Sequence, residues 1–483
     1  MSATDSFHFL TVGTTPELVC SLWDPIAAGS DFRFSHLVHP RYNRNTWPDS
    51  DSKSENYFVA DDVRVPLPAP DLALLSSLEA EGVPTVHNMI LGDRVVSALP
   101  YQEALGYATL LARRMIEVFG RVRPMAVIGG FDALHGSLAL SAALKMGIPW
   151  YAMHFSVIPE GFVCFCDRAS PSARVYFEDS PFSETEALAA RSLVQFESRE
   201  IFAPAYIAPI RRSVFEHFSK NASRLSTLSR MLRREDAGGL RRYTEPRTSH
   251  SISHAIRHLV RTARARKEVA GQRLLTRPPR DRYILFGLHM QPESSIDVWA
   301  PFFSNQIWVI ELLSRSIPPT HKLLVKIHKS DTGKYSREEL DKISAYPGVE
   351  LVAPFADTRS FIEQADLLVL IQGTIGLEAA LLGKPVIMLG QSAFAIFPSV
   401  TQISNIMELP ALIRKKLGEE RPSRGSILKS YADYLRPFAP ASTNDWTIRR
   451  EGNEIDDYRR LFSRLRTHIV ADSSRAGHAA RKS

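Results

Sequence analysis

The stretch DLLVLIQGTIGLEAALLGKPVIMLG, residues 366–390, constrains this chain more than any other. An apolar run ends at Gln372, a glycine follows, a helical pattern begins near Thr374, and a second apolar run starts after Gly383, Lys384 and Pro385. Strand, tight turn, helix, glycine stop and strand make one βαβ unit, which requires a parallel sheet covered by helices. Gly373 lets the backbone approach a ligand closely. The helix start turns free amide hydrogens, Thr374 and Gly376 among its first residues, and the positive end of its dipole toward the strand's C-terminal edge. A phosphate or diphosphate fits there. Glu378 lies four residues after Thr374 and one turn along the helix, where an ionised carboxylate accepts hydrogen bonds from ribose hydroxyls. The turn is not a GxGxxG dinucleotide fingerprint, and it lacks the Gly-Lys-Ser/Thr ending of a P-loop.

The same βα order repeats around it. Strand patterns at 283–290, 322–328, 349–354, 366–372 and 385–390 alternate with helical patterns near 303–315, 336–345, 357–365 and 375–382. Ser336 and Glu339 form a capping box ahead of one of these helices. Residues 1–205 read as another α/β body, with strands at 7–12, 32–38, 124–130 and 148–155 and helices at 101–119 and 133–147. A chain of 483 residues is too long for one core, and 44% hydrophobic residues fill two. The expected fold is α/β, with two Rossmann-like parallel-sheet domains facing a central cleft and a basic helical insert between them.

The insert is visible in the charge. Residues 211–282 hold 19 of the 59 basic and 6 of the 52 acidic side chains, so they carry +13 while the whole chain carries +7. Within it, Ile252, Ile256, Leu259 and Ala263 recur at helical spacing among Arg257, His258, Arg261, Arg264 and Lys267. An amphipathic helix with such a face suits an anionic membrane surface. With only Phe215, Phe218 and Tyr243 as aromatics, the segment offers few stacking platforms, so nucleic acid is not an expected partner. The domain boundaries expected are 1–205, 206–282, 283–413 and a helical tail at 414–483, whose last dozen residues are expected to lack order. Within the tail, Tyr458, Leu461, Leu465 and Ile469 share one helical register.

Three cysteines, two of them spaced as CFC, build neither a disulfide framework nor a metal knuckle. The N-terminus has no basic patch and apolar core of a secretory signal, and no apolar run reaches 18 residues. The expectation is a cytoplasmic protein that touches the inner face of the membrane peripherally.

Two further segments carry candidate chemistry. In VKIHKSDTGK, residues 325–334, Lys326 and His328 share one strand parity while Ile327 faces the core. With Lys329, they bring three nitrogen side chains to the strand edge where parallel sheets bind ligands, suited to neutralising a departing phosphate, with His328 as its hydrogen-bond or proton donor. In GLHMQPESS, residues 287–295, Gln291, Glu293 and two serines stand at a corresponding edge. The N-terminal body offers Glu17, Asp132 and His135 after strands, and Glu17 or Asp132 is a candidate base for an acceptor hydroxyl. No HExxH, GxSxG or EF-hand loop occurs, and no metal or cofactor is expected.

The region 285–400 resembles bacterial capsule and surface polysaccharide glycosyltransferases of the broad group that includes the capsule Kdo transferases. The resemblance rests on Leu288, His289, Gln291, Pro292 and Glu293, on Phe303 and Gln306, on Val325, Lys326 and His328, and on Gly373, Thr374, Gly376, Glu378, Ala379, Gly383, Lys384, Pro385 and Val386. The sequence departs from that pattern where Ile327 stands for a glutamate and Lys329 for a proline. The resemblance implies a GT-B fold and a nucleotide-sugar donor held mainly by the C-terminal domain. It implies a polysaccharide or glycolipid acceptor served by the N-terminal one. It places Lys326, His328, Thr374 and Glu378 around the donor, with Glu293 close by, and brings His289, Gln291, Gln372, Gly373 and Gly376 into the donor-binding set. The candidate catalytic residues are then His328, Asp132, Glu17 and Glu293. A nucleotide-sugar epimerase or polyol-phosphate transferase of similar fold is the alternative enzyme, and a non-catalytic membrane or nucleic-acid binding module the alternative outside enzymology.

Overall fold

The computed structural model describes residues 6–45, 47, 54–63, 66–79, 84–130, 133–168, 170, 172–177, 182–200, 241–245, 260, 261, 263, 264, 267, 269, 271–291, 293–329, 335–441 and 453–480. In chain order the elements used below begin with β1 (Phe7–Thr14), β2 (Phe32–Val38), β3 (Glu55–Tyr57), α1 (Tyr101–Val122), β4 (Ala126–Gly129), α2 (Ala133–Lys145), β5 (Trp150–Phe155), β6 (Phe162–Asp167) and α3 (Phe182–Glu197). Then come β7 (Tyr283–Gly287), α4 (Gln306–Ser316), β8 (Lys322–Lys326), α5 (Arg337–Ala345), β9 (Val349–Val352), α6 (Thr358–Gln364) and β10 (Leu367–Leu370). The chain closes with α7 (Ile375–Leu381), β11 (Val386–Met388), β12 (Val400–Gln402), α8 (Arg424–Leu435), β13 (Ala439–Pro440) and α9 (Asn453–Ala480).

Two compact units result. The first draws on Met1–Ser180, Arg233–Pro246 and Pro437–Ser483, the second on Pro181–Leu232 and Arg247–Arg436. The first holds the sheet β13-β6-β5-β4-β1-β2-β3, parallel from β5 through β3. β6 runs antiparallel to β5, and β13 antiparallel to β6. Period-two alternation sorts β1: Phe7 and Phe9 join Phe32 and Phe34 in a core with α9, while Leu10 and Leu37 face the core that includes α1.

Residues 437–483 thus return to the first unit, and the tail expected as one segment is divided between the two. α8 belongs to the second unit, where Arg424 pairs with both carboxylate oxygens of Glu197 on α3 at 3.0 and 2.8 Å. α9 buries Tyr458, Leu461, Leu465 and Ile469, the register read from the sequence. It runs on to Ala480. The amphipathic stripe at 252–259 lies outside the described residues. The described part of the insert includes Tyr243, which stacks on Tyr107 of α1 at 5.1 Å and donates a hydrogen bond to Glu103.

The second unit is an all-parallel sheet in the order β12-β11-β10-β7-β8-β9. Its strands are apolar on both faces, as helices on both sides require. The capping box of Ser336 and Glu339 forms at the start of α5. Between β7 and β10 the strand order reverses direction, and such a switch point opens a crevice at the strands' C-terminal ends.

Candidate functional site at the C-terminal edge of the second sheet

The turn after β7 and the turn after β10 meet at that switch point through one histidine. His289 is 8% exposed and its Nε2 lies 2.6 Å from the carbonyl oxygen of Gln372. Gly373 makes this possible: its φ is +100°, and a Cβ there would stand 3.0 Å from His289 Nε2. Burial holds the His289 pKa down at about 4, so the ring is neutral and donates to Gln372 through Nε2. His289 therefore fastens one turn to the other.

A second fastening comes from Gln306, the first residue of α4, which is nearly fully buried. Its Oε1 accepts from the His289 amide at 2.8 Å, and its Nε2 donates to the His289 carbonyl at 3.0 Å and to Gln291 Oε1 at 2.9 Å. Gln291 in turn donates to the Ser304 carbonyl, and Asp297 accepts from the Glu293 amide. Gln291 thus holds the loop that presents Glu293. The sequence offered Gln306 only as a point of resemblance, because its partners lie 15 to 17 residues away.

Around these turns the candidate residues divide into those that face the edge and those that brace it. Lys326 is 4% exposed, and its Nζ donates to the carbonyls of Ala353 at 2.9 Å and Pro354 at 2.8 Å. Two of its three donors are spent on the loop after β9, and burial brings its pKa down to about 8. Lys384 repeats the device with the carbonyls of Glu363 and Ala365. His328 follows β8, and Ile327 between them is fully buried, as strand parity predicts. Burial, Lys326 and Lys329 all lower the His328 pKa, so its neutral imidazole is the resting form.

Glu378 occupies the first turn of α7 and is 8% exposed. Among the described residues no hydrogen-bond donor meets its carboxylate. Burial raises its pKa to about 7, against the pull of Arg359 and Lys329 and with the push of Asp357. Arg359 and Asp357, around the start of α6, gave no signal in the sequence, since only the fold brings them to Glu378. α7 starts at Ile375, and the amides of Gly376, Leu377 and Glu378 already donate to Gly373 and Thr374 carbonyls. The turn thus leaves the amides of Thr374 and Ile375 over. Gln372 is 5% exposed, its Oε1 lies 3.3 Å from the Gly373 amide, and its Nε2 is buried without a partner among the described residues.

In the first unit, Glu17 sits exposed in a short helix after β1, where the Thr15 side chain holds its pKa below the ordinary carboxylate value. That is a capping contact, and it leaves a weak base. Asp132 lies outside the described residues. Cys164 and Cys166 are buried in β6, and no group of three or more metal-ligating side chains occurs among the described residues.

The molecule is thus a two-unit α/β protein whose second sheet presents a braced, partly polar edge at its switch point. Residues 220–408, which contain the whole second sheet, match the family described as capsule polysaccharide biosynthesis protein. No curated protein matches the chain. Among solved structures it is similar to the KpsC beta Kdo 2,4 transferase of Thermosulfurimonas dismutans, at 13% identity over 66% of this chain and 82% of that one, with a TM-score of 0.36. The beta Kdo 2,7 transferase of the same protein aligns at 13% identity over 73% and 89%, with a TM-score of 0.32. The UDP-GlcNAc 2-epimerase of Methanocaldococcus jannaschii aligns at 12% identity over 89% and 98%, with a TM-score of 0.30. At these scores none of the three bears on the chemistry.

Proposed function

We propose that this chain is a glycosyltransferase of capsule or surface polysaccharide synthesis that binds a nucleotide-activated sugar at the switch point of its second sheet. The observation that carries the reading is Glu378: a buried carboxylate, unmet by any donor among the described residues, in the first turn of the helix that follows β10 and within the family match. Ribose hydroxyls supply the donors such a carboxylate lacks. The turn at 373–375 and the His328 imidazole receive the phosphate, and His328 donates a hydrogen bond as the leaving oxygen gains charge. Lys326 contributes by holding the loop after β9, with its positive charge close behind. The leaving group's charge is then met by side chains and backbone amides, without a metal. The first unit serves a polysaccharide or glycolipid acceptor, with Asp132 or Glu17 as candidate base and Glu293 at the donor edge.

A panel of CMP-, UDP-, GDP- and dTDP-sugars, read by thermal shift and mass spectrometry with and without acceptor glycan, tests this. Stabilisation by one nucleotide class and acceptor-dependent release of the nucleotide are expected. Sugar altered without acceptor makes the protein an epimerase instead, and folded protein that binds no donor ends the catalytic reading.

The protein also has a place to work. No helix among the described residues is long and apolar enough to cross a membrane, and the basic face at 254–267 suits peripheral contact with anionic lipid. Co-sedimentation with anionic liposomes that weakens with salt and on changing Arg257, Arg261 and Arg264 to Glu is the expected result.

A further inference from the structure

We propose that the C-terminal edge of the first sheet is a second ligand site, which takes an oxyanion, a phosphate ester, on His39, Arg41 and His135. It goes beyond the nucleotide-sugar reading and does not depend on it.

The argument begins with a device that the two units share. The first sheet reverses its order between β1 and β4, as the second does between β7 and β10. At the second switch point, Gly373 after β10 adopts a positive φ, and the space of its missing side chain is closed by His289 from the turn after β7. At the first, Gly13 near the end of β1 has a φ of +73°, and a Cβ there would stand 3.2 Å from Nε2 of His135, in the first turn of α2 after β4. Glycine and histidine have exchanged strands, but each switch point keeps an imidazole in the hollow of a left-handed glycine. Only glycine takes that backbone conformation readily and leaves that room.

At the first switch point the histidine is not alone. The ring of His39 meets that of His135 edge to face, with centroids 4.6 Å apart. His39 directly follows β2, and its amide donates to the Thr14 carbonyl at 2.9 Å, which fixes it beside the end of β1. Its Nδ1 accepts from the Arg41 amide at 3.2 Å, so in the neutral ring Nε2 carries the hydrogen and is a donor. The Arg41 side chain is exposed and reaches the Tyr42 hydroxyl.

The charges around this group favour an anion. Burial, His135 and Arg41 all work against a proton on His39, so its ring stays neutral and Nε2 remains a donor. Asp93, the buried carboxylate beside α2, is already spent on the amides of Leu134, Val95 and Val96. Glu17 acts on Arg41 but is itself held by Thr15. An oxyanion accepts from His39 Nε2 and gives the exposed Arg41 guanidinium a bidentate partner.

The test uses the full chain and two probes: inorganic phosphate in calorimetric titration, and phosphatidylcholine vesicles with and without phosphatidylglycerol in co-sedimentation. Arg41→Gln, His135→Gln and His39→Gln are each expected to weaken phosphate binding roughly tenfold or more, the loss of a charge-assisted hydrogen bond. Nucleotide binding by the second unit is expected to stay unchanged, so the two sites succeed or fail separately. Loss of binding to phosphatidylglycerol vesicles in the same variants names a lipid headgroup as the source of the phosphate. Loss confined to the soluble probe names a free phosphate ester. Arg41 is exposed, so its variant keeps the test valid should either histidine variant fail to fold. Wild-type protein that binds neither probe, or three variants that bind both as wild type does, overturns the proposal.

Discussion

Glu378 is the ionisable group on which the chemistry proposed for the second unit turns. Its pKa of about 7 in the free protein stands above the ordinary value of 4.5 because burial penalises the charge. In the proposed reading ribose hydroxyls bind the ionised form, so donor affinity is expected to rise with pH through 7 and to fall about tenfold per pH unit below it. Glu378→Gln should weaken the donor and flatten that dependence; calorimetry between pH 6 and 8 reads both, and a variant with wild-type affinity and slope ends the ribose assignment. Stability moves the other way. Between 4.5 and 7 the folded chain holds a proton that the unfolded chain has released, so this group's contribution weakens as pH rises through that window. His328 presents a different case, since its lowered pKa makes it a neutral hydrogen-bond donor at neutral pH. His328→Ala should lower kcat roughly ten- to a hundred-fold, with donor affinity changed much less, because that hydrogen bond strengthens as charge develops. Wild-type turnover in steady-state kinetics removes the role.

Elements decide which of the sequence's candidates brace the edge of the second sheet. The two turns that follow β7 and β10 are polar loops until His289 and Gln306 tie them together. Gln306→Leu leaves the buried amide and carbonyl of His289 without partners, an expected cost of about 2 to 5 kcal/mol in denaturant unfolding. Gly373→Ala should also reduce donor binding, since its Cβ displaces His289 from the turn. Protein with Leu at 306 and unchanged stability would show that the tie is idle. The βα order and the capping box of Ser336 and Glu339 were legible in the sequence because they rest on residues three or four apart, or on period-two alternation. Glu378 was legible as a residue of the edge but not as a group with a pKa near neutrality, which needs the burial that only the fold supplies. Lys326 illustrates what was hidden: parity put it on the right strand, yet its partners Ala353 and Pro354 lie 27 and 28 residues on. The strand β6 was hidden for a related reason, as its antiparallel pairing with β5 follows a loop, 156–161, longer than a tight hairpin turn.

At the scale of the whole molecule, the course of the chain binds its last residues to its first. After completing the second unit at α8, the chain adds β13 to the edge of the first sheet and lays α9 over its aromatic face. No local pattern in residues 453–480 names that partner; the apolar stripe says only that some surface must cover it. Phe462 is the centre of the contact. It is fully buried and meets Phe9 at 5.2 Å, Phe165 at 5.3 Å, Phe34 at 5.7 Å and Trp23 at 6.1 Å, all edge to face. Replacing it with alanine removes these ring contacts and opens a cavity among residues from β1, β2 and β6, at an expected cost of about 3 to 5 kcal/mol. The second sheet has its own core and shares no residue with this cluster. Phe462→Ala should therefore lower the unfolding midpoint of the first unit and leave the second unit's nucleotide binding intact. Hydrogen exchange resolved by peptide reads the two units separately: faster exchange in β1, β2 and β4 with unchanged protection in β7, β8 and β10 is the expected pattern. Equal loss of protection in both sheets would mean that the chain unfolds as one body, with α9 as its common closure.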